Sequence, residues 1–527
     1  MHGFFIPGPH DDGDPVTGHY YETASDDPSR PQVWGYTSAL SYASGETLRL
    51  HAMSSAPTAR LTITRDGLTP QTVHVTMIPT TFAPTPADCS VKGCGWPIAF
   101  QITIPPDWPT GVYVATLAID GHESMAIFVL KPARPTAQLA LILTTGTWCA
   151  YNDWGGSNHY QGLTGPSGAE FAANVSLHRP WAKGFVRWPD DAPRIPHASP
   201  LLTRPRYPHM EFARANGISK KYASSGWAAF ERPFVLWAEE QAITLDYVTQ
   251  HDLHGNPHLL DAYPRAVIVG HDEYWTWEMR DHLDAWLDRG GELARFGGNF
   301  FWQTRLSPDL ITQTCYKTRA EAEDPLATTD RLTSYWDHPQ ARRPAVASMG
   351  LTGSMGVYAG WSRCAAHGSG GFTLYRPDHW ALQGTGLGYG DVLGAASNIF
   401  GYEVDGIDYE IRNGLPYAAP DTGLEGDLTI VGLSPATTLA HHTGRHDMDY
   451  FIGTLDAEEV AKTIYGEVTS ETLGLASRGN GSMAEYRRGR GAVFNAGSCE
   501  WVAGLIARER PVEVVTKNIL LGEWDAT

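Results

Sequence analysis

Positive charge is scarce in this chain: 39 Lys and Arg stand against 58 Asp and Glu, a formal net charge of −19. Binding to a phosphate backbone needs a basic surface, so a nucleic-acid partner is excluded. Long apolar runs are also missing. None approaches the roughly 20 residues of a membrane span, and no membrane partner is expected. The opening stretch MHGFFIPGPHDDGD lacks the basic start and apolar core of a signal peptide, which makes a cytoplasmic protein the expectation. Cysteine is sparse. Cys89, Cys94, Cys149, Cys315, Cys364 and Cys499 are scattered, which suits reduced thiols. Cys89 and Cys94 read as two free thiols in a loop, because a zinc site would need further ligands close by. Internal repeats and low-complexity tracts are absent.

What is present is ample apolar material. With 527 residues and a hydrophobic fraction of 42%, the chain can bury sizeable cores and divides into two or three domains. Residues 1 to about 35, rich in Gly, Pro and Asp, read as an irregular arm. From Val33 to about Lys131 short alternating strands follow, at Thr47–Ala52, Ala59–Thr64, Ala99–Ile104, Val112–Leu117 and Met125–Leu130. Their turn-separated pattern implies an antiparallel sandwich of immunoglobulin-like size. Pro79–Pro97 reads as a longer loop, and Lys131–Pro135 as a linker. Beyond it the period changes: a buried strand at Ala137–Thr145, a helix at Phe230–Glu240 and a strand at Ile243–Val248. Strands alternating with helices predict a doubly wound, mostly parallel α/β sheet. The domains are accordingly placed at 1–132 and 137–527.

The stretch from Ala266 to Trp302 organises the rest. Ala266–Val269 is a short apolar strand ending at Gly270, followed by the polar cluster His271-Asp272-Glu273-Tyr274-Trp275. Met279, Leu283, Trp286 and Leu287 then recur at helical spacing, and Gly290-Gly291 ends the helix. A second strand, Leu293–Phe296, runs into Gly297-Gly298-Asn299. In strand–loop–helix–strand units ligands bind beyond the carboxyl ends of the strands, where both polar loops fall. His271, Glu273 and Tyr274 are therefore candidate catalytic residues, with Trp275 and Asn299 as candidate substrate contacts. The competing reading is a loop whose polar groups satisfy backbone donors at a helix N-terminus.

Other carriers lie outside that stretch. Tyr151-Asn152-Asp153-Trp154-Gly155-Gly156 follows the Ala137–Thr145 strand; Asn152, Asp153 and Trp154 are candidate substrate-binding residues, against a self-bonded Asx turn. His379, in Asp378-His379-Trp380, has the side chain suited to a general base, although a lone His is more often structural. Glu403 and Asp405 alternate on a short strand, so only one face, hence one or the other pair of neighbours, meets the site; Glu403 is the catalytic candidate. Cys499 follows the strand Ala492–Asn495 in Gly497-Ser498-Cys499-Glu500-Trp501; Trp501 spoils its likeness to a nucleophile elbow, which wants small neighbours. The 18 Trp residues hint at an aromatic-lined pocket, against their usual packing role.

Several of these segments together resemble the family of N,N-dimethylformamidase large subunits: WGYTSALSYASGE and PPDWPTGVY early on, then AYNDWGG, DYVTQHDLH, VGHDEYW, GGELARFGGN, DHWALQGTG, GYEVDG and VFNAGSCEW. The resemblance implies a glutamine-amidotransferase-like α/β domain behind an Ig-like domain, and hydrolysis of a small amide with a mononuclear iron held by two tyrosines and a glutamate. Tyr274 matches one ligand tyrosine. The helix due to carry the second, Phe230–Trp237, has no tyrosine, and Thr352-Gly353 is followed by Ser354 where the glutamate belongs. Two of the three iron ligands are thus missing, and His271, Glu273, Asp153 or Glu403 would have to complete any metal site around Tyr274. The expected function is a carbon–nitrogen hydrolase acting on a small-molecule substrate. A non-catalytic module binding a small molecule or carbohydrate, and lyase or isomerase chemistry, stay open, as does a homo-oligomer.

Overall fold

The computed structural model describes residues 4–9, 11–15, 18–164, 170–194, 208–356, 370–435, 455–476 and 479–524. Cys364 lies outside the described residues. The chain forms two compact units: Met1–Arg194 with Pro208–Gly255 and Arg305–Cys315, and Ile195–Tyr207 with Asn256–Thr304 and Tyr316–Thr527.

The first unit begins with a two-stranded antiparallel ribbon, Phe5–Pro7 on Tyr20–Glu22, inside the arm expected to be irregular. Two sheets follow. One contains Ser41–Ala43, His122–Lys131, Gly111–Ile119, Thr58–Asp66 and Gln71–Pro79; the other contains Val33–Thr37, Thr47–Ser54 and Ile98–Thr103. Alternation sends Leu48, Leu50, Leu61, Ile63, Leu117 and Phe128 into one shared core, each at most 1% exposed. The edge strand Gln71–Pro79 escaped the pattern because it is mostly solvent-facing, with Val75 and Met77 exposed. The loop Pro79–Pro97 carries a short helix, Cys89–Lys92. In the same unit the fully buried strand Leu139–Leu143 pairs in parallel with Asp246–Thr249. Lys131 and Ser41 both reach the Asp252 carboxylate at 2.6 Å, which ties the sandwich to the helix Gln250–Gly255.

In the second unit the sheet runs Arg265–His271, Glu292–Gly298, Gly491–Asn495, Asn480–Arg488, Leu428–Pro435, Phe372–Leu374 and Val392–Leu393. Only the first three are mutually parallel; from Asn480–Arg488 onward every pairing is antiparallel. The expectation of a doubly wound, mostly parallel sheet is overturned: the sheets are mixed, and strand (31%) outweighs helix (21%). Each parallel pairing needs a crossover, whereas an antiparallel one needs only a tight turn. Gly489-Arg490 supplies such a turn, with Gly489 at φ 55°, between Asn480–Arg488 and Gly491–Asn495. The strand Asn480–Arg488 was missed because its Ser, Glu and Arg residues break an apolar run, although its first seven residues are buried.

The helix Trp277–Asp288 forms where the spacing put it. Thr276 caps it by accepting the Met279 N–H at 3.1 Å, and Met279, Leu283, Trp286 and Leu287 are buried. It stops at Gly290-Gly291, where a Cβ on Gly291 would lie 2.3 Å from the Trp286 ring.

Candidate functional site

His271 ends the Arg265–His271 strand, every residue of which is buried. In register beside it, on the parallel neighbour, stands Gly298. A Cβ there would come within 2.6 Å of the Glu403 carbonyl and 3.0 Å of the Cys499 amide, so only glycine lets these two segments close over the strand ends. The Glu403 carbonyl accepts the Cys499 N–H at 3.0 Å, and the Asp405 N–H donates to the Gly497 carbonyl at 3.0 Å. Asn299 and Tyr402, on either side of this crossing, hold positive φ values of 61° and 57°. Strained non-glycine backbone of this kind persists only where its surroundings over-determine it.

Four polar side chains converge there. His271 Nε2 pairs with Glu403 Oε2 and lies 3.3 Å from Glu273 Oε2; the three side chains are 0%, 7% and 1% exposed. Asn299 Nδ2 donates to Glu403 Oε2 at 2.8 Å, and Trp302 Nε1 donates to Glu273 Oε1 at 2.6 Å. The Tyr402 ring stands edge-on to the imidazole, centroids 5.2 Å apart. Burial alone would depress the His271 pKa, but the Glu403 carboxylate, reinforced by Glu273, raises it well above the ordinary histidine value. The two carboxylates therefore favour the protonated imidazole.

A second ionic group supports the first. The Arg295 guanidinium reaches Asp272 twice, at 2.8 and 2.5 Å, and also bonds Asp405 and Asn495 Oδ1, the last at 3.0 Å. Arg295, Asp272 and Asp405 are fully buried. Burial pushes the Asp272 pKa up against the pull of Arg295. Asp405 Oδ1 also accepts the Phe300 N–H at 3.1 Å, which pins the loop after Gly298. On a strand Glu403 and Asp405, two positions apart, would share one face. Both engage the site, Glu403 through His271 and Asp405 through Arg295. The segment is not a regular strand; Val404 makes an isolated bridge to Ser498. Sequence reasoning missed Arg295, although an arginine inside the apolar run Leu293–Phe296 was the available signal.

The other candidates take different places. Tyr274 is fully buried on the short strand Tyr274–Trp275, parallel to Trp302–Gln303, with Lys317 Nζ 6.0 Å from its ring. Trp275 is also fully buried; its indole N–H donates to the Asp272 carbonyl at 2.6 Å. His379 Nε2 meets Glu485 Oε2 at 2.8 Å while its Nδ1 accepts the Ala381 N–H at 3.2 Å, so it caps the 3₁₀ turn Trp380–Leu382. Asn152, Asp153 and Trp154 belong to the first unit. Asn152 Oδ1 accepts from the Trp154 and Ala182 amides at 3.3 and 3.1 Å. Asp153 takes a 2.8 Å bond from Ser219 with its pKa raised by burial, and Trp154 packs edge-on against Trp34 and Trp96. The turn thus has an Asx bond of its own within a Trp-rich core.

Cys499 is fully buried, its thiol donating to the Gly298 carbonyl at 3.5 Å. Burial, then Glu403 and the neighbouring aspartates, push its pKa well above the ordinary thiol value. His271, Glu403 and Cys499 each offer one donor atom, all within 4.8 Å of one another. An iron site of two tyrosines and one glutamate is a different donor set. Tyr274 remains without a second tyrosine on the helix Glu231–Glu240, and Ser354, in the place of the glutamate, has a buried hydroxyl with no hydrogen-bond partner.

Among known families, the one described as N,N-dimethylformamidase beta subunit-like, C-terminal, matches residues 61–512, most of the chain. No curated protein matches it.

Proposed function

Because the chain belongs to the N,N-dimethylformamidase beta subunit-like family, we propose that it hydrolyses a carbon–nitrogen amide bond, with His271, Glu273 and Glu403 moving the protons. The observation that carries this reading is an imidazole held between two carboxylates at the carboxyl end of a parallel strand. Amide hydrolysis needs a base for the attacking water and an acid for the departing nitrogen. Glu273 or Glu403 takes the proton from water as its oxygen bonds the carbonyl carbon. His271 gives its proton to nitrogen as the C–N bond breaks, and the carboxylate returns a proton to the imidazole across their contact. Asn299 and Trp302 hold the two carboxylates in place through the 2.8 and 2.6 Å bonds. The near-complete burial of the cluster favours a small amide.

Amine release from a panel of small, aryl and sugar amides tests the reading. Activity is expected on a small amide, with His271→Asn and Glu403→Gln each lowering kcat by about 10²–10⁴. Silence across the panel would remove it. Binding without turnover, with Tyr274→Phe lowering affinity alone, would favour the non-catalytic alternative.

A further inference from the structure

The His271 cluster has a donor set and a charge that the proton-transfer reading does not use. An imidazole nitrogen, a carboxylate and a thiol come together at the buried crossing of three chain segments. His271, Glu403 and Cys499 have donor atoms within 4.8 Å of one another, and Glu273 Oε2 lies 3.3 Å from His271 Nε2. We infer that His271, Glu403 and Cys499 form a binding site for a divalent transition-metal cation of the zinc class, with Glu273 beside it.

Three observations support the site. The first is chemical: nitrogen, oxygen and sulfur together suit a borderline cation such as Zn²⁺, whereas a hard ferric ion prefers oxygen alone. The second is metric. Bonds of about 2.0–2.3 Å in a tetrahedron place donor atoms roughly 3.5 Å apart. The donor atoms lie within 4.8 Å of one another, so a bound ion would draw them in to reach that spacing.

The third is charge. Asp272, Glu273, Glu403 and Asp405 are all buried around the crossing. The permanent cations facing them are Arg295 and Lys317, the latter 4.6 Å from the Trp302 ring whose N–H holds Glu273. Arg280, beyond the Phe300 ring, is engaged by Ser348 and by the carbonyls of Arg343 and Pro344. Among the described residues these carboxylates outnumber the permanent cations near them, and a bound cation would offset part of that excess. The bond from Asn299 orients Glu403 as outer partners orient metal ligands, and Trp302 holds Glu273 beside it.

A bound metal would take the imidazole nitrogen that the hydrolase reading protonates, so the two readings exclude each other at His271, and the test reads the metal itself. The full-length protein, stripped with a chelator and dialysed, would be titrated with Zn²⁺ and with Co²⁺. Mass spectrometry of the elements would count bound ions, and absorption would follow cobalt. One ion per chain is expected, with a thiolate-to-cobalt charge-transfer band in the near ultraviolet. Cys499→Ser should abolish the band and weaken binding; His271→Asn and Glu403→Gln should each weaken binding about tenfold or more. Cys89→Ser, in the first unit, should leave the band intact, and circular dichroism should verify that each variant is folded. Folded wild-type protein that takes up well under one ion per chain would overturn the site, as would a band that survives Cys499→Ser. Stoichiometric metal without amine release would retire the hydrolase reading alone. Amine release from protein that binds no metal would do the reverse.

Discussion

Arg295 is the residue whose loss the second unit should tolerate least. Its guanidinium is the shared partner of Asp272 and Asp405, all three fully buried. Removing one member of a buried ionic group leaves the others uncompensated in a low-dielectric interior, a cost of about 3–5 kcal/mol. Arg295→Met should therefore lower the urea midpoint steeply; a loss under about 1 kcal/mol would show that the aspartates find another partner or a proton. Gly298 makes a second residue-scale case. Gly298→Ala places a methyl group where the Glu403 carbonyl and the Cys499 amide now sit, at 2.6 and 3.0 Å. The two segments must part, so amide turnover should fall at least tenfold while the fold survives. Unchanged turnover would mean that this crossing does not set the site's geometry.

At the scale of elements, the start of the helix Glu231–Glu240 shows how one carboxylate joins three pieces of backbone in the first unit. Glu231 Oε1 accepts from the Thr144 amide at 3.2 Å, the Thr144 hydroxyl at 2.6 Å and the Trp148 indole at 3.0 Å. Burial raises its pKa from 4.5 to about 7 despite these bonds. The folded state thus binds this proton more tightly than the unfolded chain does. Its contribution to stability is complete below pH 4.5 and is lost as the pH climbs through about 7. The loss is on the order of 3 kcal/mol at 1.36 kcal/mol per pKa unit. Glu231→Gln keeps the acceptor and removes the titration, so its stability curve should be flatter than the wild-type curve between those values. Parallel curves would show that Glu231 does not titrate there. Elements also mark where pattern reading worked. The helix Trp277–Asp288 was legible because its apolar period, its Thr cap and its Gly-Gly stop agree. The strand Asn480–Arg488 was not, because side chains such as Glu485, which binds His379 and Trp380, are polar yet buried.

For the molecule as a whole, the question is which segments share a cooperative unit. The first unit joins the sandwich to residues far along the chain. Asp66, on a sandwich strand, accepts the Trp227 indole and Arg232 Nε, both at 2.8 Å, and Asp252 gathers Ser41 and Lys131. Asp66→Ala leaves those buried donors unsatisfied, a cost of about 1–3 kcal/mol. Hydrogen exchange should then quicken together in the sandwich strands and in Leu139–Leu143. Quickening in the sandwich alone would make it an independent cooperative unit. Among the described residues no helix is long and apolar enough to cross a membrane.

The sequence by itself determined what depends on local period and composition. It gave the alternating strands of the first unit, the Ala266–Trp302 stretch with its capped helix, the family, and the position of His271 at a strand's carboxyl end. These features are written within a few turns of chain, where apolar spacing and backbone restriction act directly. Tertiary structure decided what depends on pairing between distant segments. It set the direction of the strands beyond Gly491–Asn495, brought Glu403 and Cys499 onto His271 from more than a hundred residues away, and gave Arg295 two aspartates to hold. Pairing of that kind is set by long-range packing and by the compensation of buried charge, and neither leaves a periodic trace in the chain.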